Sequence, residues 1–140
     1  MPRNTAGGVV VGPQGSIVLV NQNGNSWSFP KGGIEPNETP RETAAREIWE
    51  ETGIKDLVFV GDLGVYERHS LDAQGTGEDT SVPPAKKMLF LYTTMSEVLE
   101  PHDKEVTGTK WVSVDEALQL LTHPKDREFL QSVRTRVEAV

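Results

Sequence analysis

The chain of 140 residues contains no cysteine, which excludes disulfides and thiolate metal sites. Any metal ion must therefore be bound by oxygen or imidazole ligands. Basic residues are also few, since 14 Lys and Arg against 21 Asp and Glu give a formal net charge of -7. This balance argues against a nucleic acid polymer as partner, because its backbone requires a basic face. A small anionic substrate is compatible with it if a divalent cation lies between the two negative charges.

Long apolar segments are missing too. No run approaches the roughly 20 residues that a membrane-spanning helix needs. The N-terminal AGGVVV is followed by GPQG rather than by a cleavage site, so no signal peptide is predicted. We therefore expect a cytoplasmic protein with no membrane partner. The length predicts a single domain over residues 1–140 and leaves monomer and homodimer both open.

Local patterns predict the first strands and a helix. The apolar segments TAGGVVV and SIVLVN flank the turn sequence GPQG and predict a β-hairpin. The stretch WSFPKGGIEPNE, rich in Pro and Gly, is predicted to be a loop. The next segment carries the signals of a helix N-terminus. Thr39 suits the N-cap, Pro40 suits the first helical position, and Glu42 completes a capping box. The predicted helix runs to about Thr52, where Gly53 provides a left-handed stop.

The second half predicts three more strands, LVFVGDLGVYER, KMLFLYTTM and TKWVSV. Ser113 and Glu116 form another capping box before VDEALQLL, and DREFLQSVRTRVEAV predicts an amphipathic C-terminal helix. The polar stretch 69–86 predicts either a flexible surface loop or a substrate-gating loop. Strands and helices alternate without clean βαβ spacing, which favours an α/β fold with a mixed sheet flanked by helices.

The first helix carries a concentrated acidic face. Glu47, Glu50 and Glu51 are spaced i, i+3 and i+4, so their carboxylates project together and repel one another. Arg46 lies one turn before Glu50 and can tether it. A solvated acidic face with one weak ion pair is one interpretation. The other is a site for Mg²⁺ or Mn²⁺, which prefer carboxylate, carbonyl and water oxygens.

The loop before the helix favours the metal site. Gly32 and Gly33 allow close approach of the backbone to a ligand, and Lys31 adds a cation beside them. Residues 32–54 resemble the Nudix box at every defined position. The fixed positions of that motif are Gly32, Glu38, Arg46, Glu47, Glu50, Glu51 and Gly53. The resemblance implies an α/β/α sandwich that hydrolyses a nucleoside diphosphate linked to another moiety with Mg²⁺ or Mn²⁺.

The resemblance also implies roles for individual residues. Glu47, Glu50 and Glu51 would bind the metal together with the carbonyl of Gly32, and Arg46 would orient the glutamates. Glu38 would brace the junction of loop and helix. The family often adds a carboxylate from a later loop, for which the candidates are Glu97, Glu100, Asp103 and Glu105. We favour Glu105, because it precedes the tryptophan-containing strand at the usual distance.

The expected reaction is in-line attack of water on a pyrophosphate phosphorus. Glu47 is the preferred general base and Glu51 the second choice, since members of the family differ in this role. Lys31 would stabilise charge on the phosphate chain, with Gly33 and Arg68 as further substrate-binding residues. Tyr66, at the end of a strand, is the preferred residue for stacking on a base, although core packing is the commoner fate of aromatic side chains.

The FPKG lead-in resembles Nudix members that act on dinucleoside polyphosphates such as diadenosine tetraphosphate and hexaphosphate. A MutT-like nucleoside triphosphate pyrophosphatase is the second possibility. A diphosphoinositol polyphosphate hydrolase is the third, but it would need more basic residues than Lys31, Arg68, Lys86 and Lys87. A non-catalytic nucleotide-binding module is also possible, although the intact acidic positions favour an enzyme. The three histidines, His69, His102 and His123, show no ligand spacing and are predicted to lie at the surface.

Overall fold

The computed structural model describes residues 3–71 and 77–140. Its elements are, in chain order, β1 (Thr5–Val11), β2 (Ile17–Gln22), β3 (Ser26–Ser28), β4 (Lys31–Gly33), α1 (Pro40–Thr52), β5 (Val58–Arg68), β6 (Ala85–Thr93), β7 (Val106–Val112), α2 (Val114–Leu120) and α3 (Pro124–Glu138). The strands form a seven-stranded sheet in the order β3-β2-β1-β6-β5, with β4 paired to β1 and β7 to β2. The β1–β6 pair is parallel, and the other described pairs are antiparallel.

The sheet lies between α1 on one face and α2 with α3 on the other. Alternate residues of β1 face opposite sides, as a strand requires. Val9 and Val11 pack in the cluster that contains Leu130 of α3, while Val10 packs in the cluster that contains Ile48 of α1. Each such buried side chain contributes about 1.5–3 kcal/mol. The predicted α/β/α sandwich with a mixed sheet is confirmed.

The acidic helix α1 begins and ends where its sequence predicted. The Thr39 hydroxyl accepts a hydrogen bond from the backbone N of Glu42 at 3.2 Å, and the Glu42 carboxylate accepts one from Thr39 N at 2.8 Å. Gly53, at φ 81°, ends the helix in the left-handed conformation. Local capping is therefore sufficient to fix both ends of this helix.

The prediction of a loop over WSFPKGGIEPNE is wrong in part. Ser26–Ser28 pairs with β2, and Lys31–Gly33 pairs with the first half of β1, where Gly7 lies opposite Lys31. A side chain at Gly7 would overlap with Pro30 and Lys31, so glycine is required for this close approach. Pairing with strands distant in sequence overrides the low strand propensity of Gly and Pro.

The surface position predicted for His123 is also wrong, because its side chain is only 2% exposed. Its Nδ1 accepts a hydrogen bond from Lys125 N at 3.0 Å, and its Nε2 donates one to the carbonyl of His69 at 2.7 Å. His123 is therefore the N-cap of α3, which starts at Pro124, two residues before the predicted start. His102 is exposed, as predicted.

The polar stretch 69–86 is described at both of its ends. Leu71 and Glu78 form an isolated antiparallel bridge, and Asp79 N donates to the carbonyl of Ser70. The middle of this predicted loop, residues 72–76, lies outside the described residues, so both interpretations of the stretch stay predictions. Within the described ranges, no helix has the length and apolar character needed to cross a bilayer.

Candidate active site

Two carboxylates of α1 are buried against the backbone of β4. Glu51 is 2% exposed and Glu47 is 9% exposed. Glu51 accepts hydrogen bonds from the backbone N of Lys31 at 3.3 Å and from the side-chain amide of Gln22 at 3.5 Å. A side chain at Gly32 would overlap with the carboxylate of Glu47. The absence of a side chain at position 32 is therefore what brings the β4 backbone into contact with the acidic face of α1.

Arg46 connects these carboxylates to the preceding loop. Its Nε and Nη2 donate to the two oxygens of Glu38 at 2.6 and 2.8 Å. Its Nη1 donates to Glu47 at 2.8 Å and to both oxygens of Glu50 at 3.3 Å. Its Nη2 also donates to the carbonyl of Gly33 at 3.2 Å. These hydrogen bonds from Arg46, the largest cause, lower the pKa of Glu38 to about 2.

The acidic cluster carries more negative charge than Arg46 alone can balance. Burial raises the pKa of Glu51 to about 9, although the nearby Lys31 opposes the rise. Burial, followed by repulsion from Glu50, raises the pKa of Glu47. Without a further cation the buried carboxylates cannot all be ionised at neutral pH. The cluster thus favours either protonation or the binding of an additional positive charge.

The donors in this cluster fit a hard divalent cation. All are carboxylate or carbonyl oxygens, which Mg²⁺ and Mn²⁺ prefer, and Gly32 leaves the carboxylate of Glu47 open to close approach. Among residues 3–71 and 77–140, no three acidic or histidine side chains are already arranged around one metal position. The Nη1 atom of Arg46 lies between Glu47 and Glu50 instead and supplies the positive charge there. Glu47 and Glu51 are therefore the residues best placed to hold a cation.

A second group of charged side chains lies on the face of the sheet that α3 covers. We call Lys31, Arg68 and Lys87 the cationic cluster. Burial, with repulsion from Arg68, lowers the pKa of Lys31 to about 8. Burial, with repulsion from Lys31 and then Arg68, lowers the pKa of Lys87 to about 7. Lys31 connects this cluster to the buried glutamates, because its backbone N donates to Glu51 and its charge acts on Glu51.

A buried aspartate partly balances this cluster. Asp126, in the first turn of α3, is 0% exposed. It accepts hydrogen bonds from the hydroxyl of Tyr66 at 2.5 Å and from Nη1 of Arg68 at 2.9 Å. Burial, and after it the charge of Asp126, raises the pKa of Tyr66. Asp126 therefore fixes the position of Arg68 and keeps the phenol protonated.

Comparison with known proteins places the chain in a family. A model of the NUDIX domain matches residues 1–133. Nudix hydrolase 12, a mitochondrial protein of Arabidopsis thaliana, is 33% identical over 104 residues, which cover 74% of this chain and 50% of that protein. An RNA pyrophosphohydrolase of Azorhizobium caulinodans is 30% identical over 120 residues, 78% of this chain and 71% of that protein. The chain belongs to the Nudix family.

The fold comparison agrees with this assignment. A solved Ap4A hydrolase of C. elegans superposes with a TM-score of 0.79 at 17% identity, covering 99% of this chain and 100% of that one. At this identity the likeness shows the shared Nudix fold. The chain spans 50–62% of the length of three Arabidopsis Nudix hydrolases that it resembles. Nudix hydrolases generally need divalent metal ions and bind small nucleotide substrates.

The Nudix residues named from the sequence fall in one region with one exception. Glu105 is exposed, and among residues 3–71 and 77–140 no hydrogen bond joins its side chain to Glu47 or Glu51; its backbone N donates to Asp103 at 2.9 Å. Its carbonyl accepts a hydrogen bond from Asn23 N at 2.9 Å, and the next residue, Val106, pairs with Gln22. The backbone of Glu105 thus lies close to the amide that reaches Glu51, while its role as a metal ligand stays a prediction.

Two predicted substrate-binding residues have structural partners. The ring of Tyr66 stacks on Phe129 with centroids 4.6 Å apart, so one of its faces is covered. The carbonyl of Gly33 accepts a hydrogen bond from Arg46, and a side chain at position 33 would overlap with the guanidinium of Arg3. Stacking of a base on Tyr66 and substrate binding by Gly33 stay predictions.

Three residues beside the candidate site are not predicted as site residues from the sequence. Gln22 reaches Glu51, Asp126 pairs with Arg68, and Lys87 belongs to the cationic cluster. The pair Lys86-Lys87 at the start of β6 carried a usable signal, because successive residues of a strand face opposite sides and one lysine of the pair must face inward. Asp126 carried none, since an acid in the first turn of a helix is common at exposed positions.

Proposed function

We propose that this Nudix protein hydrolyses a pyrophosphate bond in a nucleoside polyphosphate with Mg²⁺ or Mn²⁺. A dinucleoside polyphosphate, such as diadenosine tetraphosphate or hexaphosphate, is the preferred substrate. The observation that carries the proposal is that the buried carboxylate of Glu51 accepts a hydrogen bond from the backbone N of Lys31, while the charge of Lys31 acts on both Glu51 and Glu47. A phosphate chain can contact a cation held by the glutamates and the lysine at the same time. The FPKG sequence before Gly32 supports the same substrate class.

In this proposal Glu47, Glu50 and Glu51 would hold the metal ion together with the carbonyl of Gly32. Glu105 would be a further ligand. When bound, a divalent cation polarises the phosphoryl oxygens and increases the acidity of water. The close packing of Gly32 against Glu47 supports this set, because a Cβ at residue 32 would overlap with the carboxylate of Glu47, so only glycine allows this backbone and this carboxylate to approach the same ion.

The residues of the chain then have distinct tasks. Glu47 accepts the proton of the water that attacks the phosphorus in line with the leaving group, and Glu51 is the alternative base. Arg46, fixed by Glu38, holds Glu47 and Glu50 in position. Lys31 donates to the phosphate oxygens on which charge develops. Buried, pre-positioned donors of this kind stabilise the transition state more than solvated ones do.

A specific observation favours diphosphoinositol polyphosphates as a second candidate. Such an anionic substrate is expected to need more basic residues than Lys31, Arg68, Lys86 and Lys87, but the structure brings three of these four, Lys31, Arg68 and Lys87, together in the cationic cluster. In addition, Phe129 covers one face of Tyr66, which weakens the case for a stacked base. Both substrate classes share a phosphate chain and differ in the group attached to it.

The test is an activity panel with purified protein and either Mg²⁺ or Mn²⁺. It contains dinucleoside polyphosphates, nucleoside triphosphates including oxidised ones, diphosphoinositol polyphosphates and nucleotide sugars. The proposal requires the highest kcat/KM on a dinucleoside polyphosphate. A higher kcat/KM on a triphosphate or on an inositol substrate would show that the substrate class proposed above is wrong and would identify the correct one. Tight nucleotide binding without cleavage would identify a non-catalytic module. Loss of all cleavage in EDTA is expected of any metal-dependent member.

A further inference from the structure

Lys87 is a buried cation with no partner in the described structure. Its side chain is 8% exposed, and among residues 3–71 and 77–140 it forms neither an ion pair nor a hydrogen bond. Its neighbour Lys86 is exposed on the opposite face of β6. Burial disfavours the charged form of Lys87, and the charge of Asp126 offsets this only in part. An anionic ligand at the ammonium group would supply the remaining compensation.

A second polar group without a partner lies next to it. The hydroxyl Oγ1 of Thr5 is buried and unbonded. Thr5 is the register partner of Lys87 in the parallel β1–β6 pair, so the two side chains lie on the same face of the sheet. A buried hydroxyl that lacks a hydrogen bond costs about 1–3 kcal/mol. Thr5 and Lys87, neighbours on adjacent strands, can therefore both donate a hydrogen bond to a ligand on this face of the sheet.

Lys31 and Arg68 extend this face toward the glutamates. Lys31 lies opposite Gly7, two residues along β1 from Thr5, and its side chain occupies the space above Gly7. Arg68 lies opposite Ala85, which is two residues before Lys87 and on the same face of β6. The charges of Lys31 and Arg68 both disfavour the ammonium form of Lys87, in agreement with this placement. Asp126 is a carboxylate of this group, and its two oxygens already accept hydrogen bonds from Tyr66 and Arg68. The charges of Glu51 and Glu47 also favour the ammonium form of Lys31, whereas for Lys87 only Asp126 has this effect.

We propose that Thr5, Arg68 and Lys87 form a phosphate subsite, which lies next to Lys31 but is separate from the bond that is cleaved and is filled by a more distant phosphate of the substrate. A phosphate offers several acceptor oxygens at once, which matches an ammonium group, a guanidinium and a hydroxyl donor. A neutral base in the same place would leave Lys87 unpaired. The subsite thus selects substrates whose phosphate chain extends beyond the two phosphates joined by the cleaved bond.

The assignment of the cleaved bond rests on the proposed function, but the binding of phosphate does not. Tripolyphosphate without a divalent cation is therefore a suitable probe. Isothermal titration calorimetry in EDTA measures its Kd for the whole protein, for Lys87→Met and for Lys86→Met. Methionine keeps the length and the apolar stem of lysine, so the buried variant should fold. Lys86→Met makes the same charge change on the exposed face and serves as the matched control.

We expect Lys87→Met to weaken tripolyphosphate binding by at least about tenfold, because it removes a charged hydrogen bond. Lys86→Met should bind like the wild type, and Thr5→Val should weaken binding by a smaller factor. Equal affinities of Lys87→Met and Lys86→Met, or no binding by the wild type, would overturn the subsite. Lys87 would then be a structural lysine whose stem covers apolar surface.

Kinetics separate the two proposals. On diadenosine hexaphosphate, Lys87→Met should raise KM with little change in kcat, since the residue does not touch the reacting phosphorus. The increase in KM should be smaller for substrates with a shorter phosphate chain. If tripolyphosphate binds through Lys87 but no dinucleoside polyphosphate is cleaved, the proposed function fails and the subsite stands. If cleavage occurs and Lys87→Met changes neither binding nor KM, the subsite alone fails.

Discussion

Arg46 donates two hydrogen bonds to Glu38, at 2.6 and 2.8 Å, and so joins the loop before α1 to the acidic face of that helix. Paired hydrogen bonds between guanidinium and carboxylate fix orientation as well as distance. The remaining donors of Arg46 reach Glu47 and Glu50. Glu38 therefore determines the position of two proposed metal ligands without touching the metal itself.

The first prediction concerns this pair. Glu38→Gln should lower the free energy of unfolding and kcat together, because Arg46 loses its fixed anchor. The matched control is Glu35→Gln in the same loop, whose ion pair with Arg3 is exposed on both sides. Urea denaturation and steady-state kinetics measure both effects. Equal changes in the two variants would show that Glu38 does not position Arg46.

The second prediction concerns the base. Glu47→Gln should lower kcat by orders of magnitude, since an amide cannot accept the proton of water. Folding stability should change little, because burial already raises the pKa of Glu47 and penalises its charged form. Glu128→Gln on the exposed side of α3 is the control. A variant at position 47 that keeps the full rate would remove Glu47 from the mechanism and leave Glu51 as the base.

The third prediction tests the contact between β4 and α1. Gly32→Ala places a methyl group on the carboxylate of Glu47, which must move. A displacement of this size near the reacting groups costs about a hundredfold in kcat/KM. Gly108→Ala is the control, because a methyl group there meets only ordinary contacts at 3.6 Å or more. Full activity of Gly32→Ala would contradict the close approach on which the proposed ligand set depends.

The fourth prediction concerns pH and Lys87. Burial lowers its folded-state pKa to about 7, so between this value and its ordinary pKa the unfolded chain binds a proton that the folded protein has released. The contribution of Lys87 to stability therefore rises with pH over this range. Lys87→Met should stabilise the unliganded protein more at pH 6.5 than at pH 9, with a difference on the order of 1–2 kcal/mol. Urea denaturation of both proteins at both pH values measures the free energies of unfolding. The same stabilisation by Lys87→Met at pH 6.5 and pH 9 would contradict the prediction.

The fifth prediction concerns Asp126. Asp126→Asn leaves Arg68 without its ion pair in a buried cationic cluster and should lower the free energy of unfolding by about 1.5–3 kcal/mol. Asp115→Asn makes the same change at an exposed ion pair with Arg134 and should have almost no effect. Equal losses would mean that Asp126 contributes no more than an exposed acid. Tyr66→Phe should cost less than Asp126→Asn, because it removes one hydrogen bond and no charge.

The local parts of this structure could be predicted from the sequence. Thr39, Glu42 and Gly53 determine the ends of α1 through interactions between residues close in sequence. The spacing of Glu47, Glu50 and Glu51 likewise placed three carboxylates on one helix face. The family resemblance added the sandwich fold, which the structure and the matching family model both confirm.

The missed features depend on pairing between distant segments. The strand character of Lys31–Gly33 comes from β1, and the burial of Lys87 comes from the register of β1, β5 and β6. His123 is buried because α3 begins at the residue after it and its ring caps that helix. Local signals existed only in the Lys86-Lys87 pair and in Pro124, a residue type favoured at the first position of a helix. The cytoplasmic location, the oligomeric state and the role of Glu105 stay predictions.

The most direct test of the central claim, that Glu47 and Glu51 hold a divalent cation for hydrolysis, is binding of Mn²⁺ measured by electron paramagnetic resonance without substrate. Wild-type protein should bind Mn²⁺, and Glu51→Gln should weaken binding by at least about tenfold, whereas Glu128→Gln should match the wild type. Equal binding of Mn²⁺ by wild type and Glu51→Gln would contradict the claim.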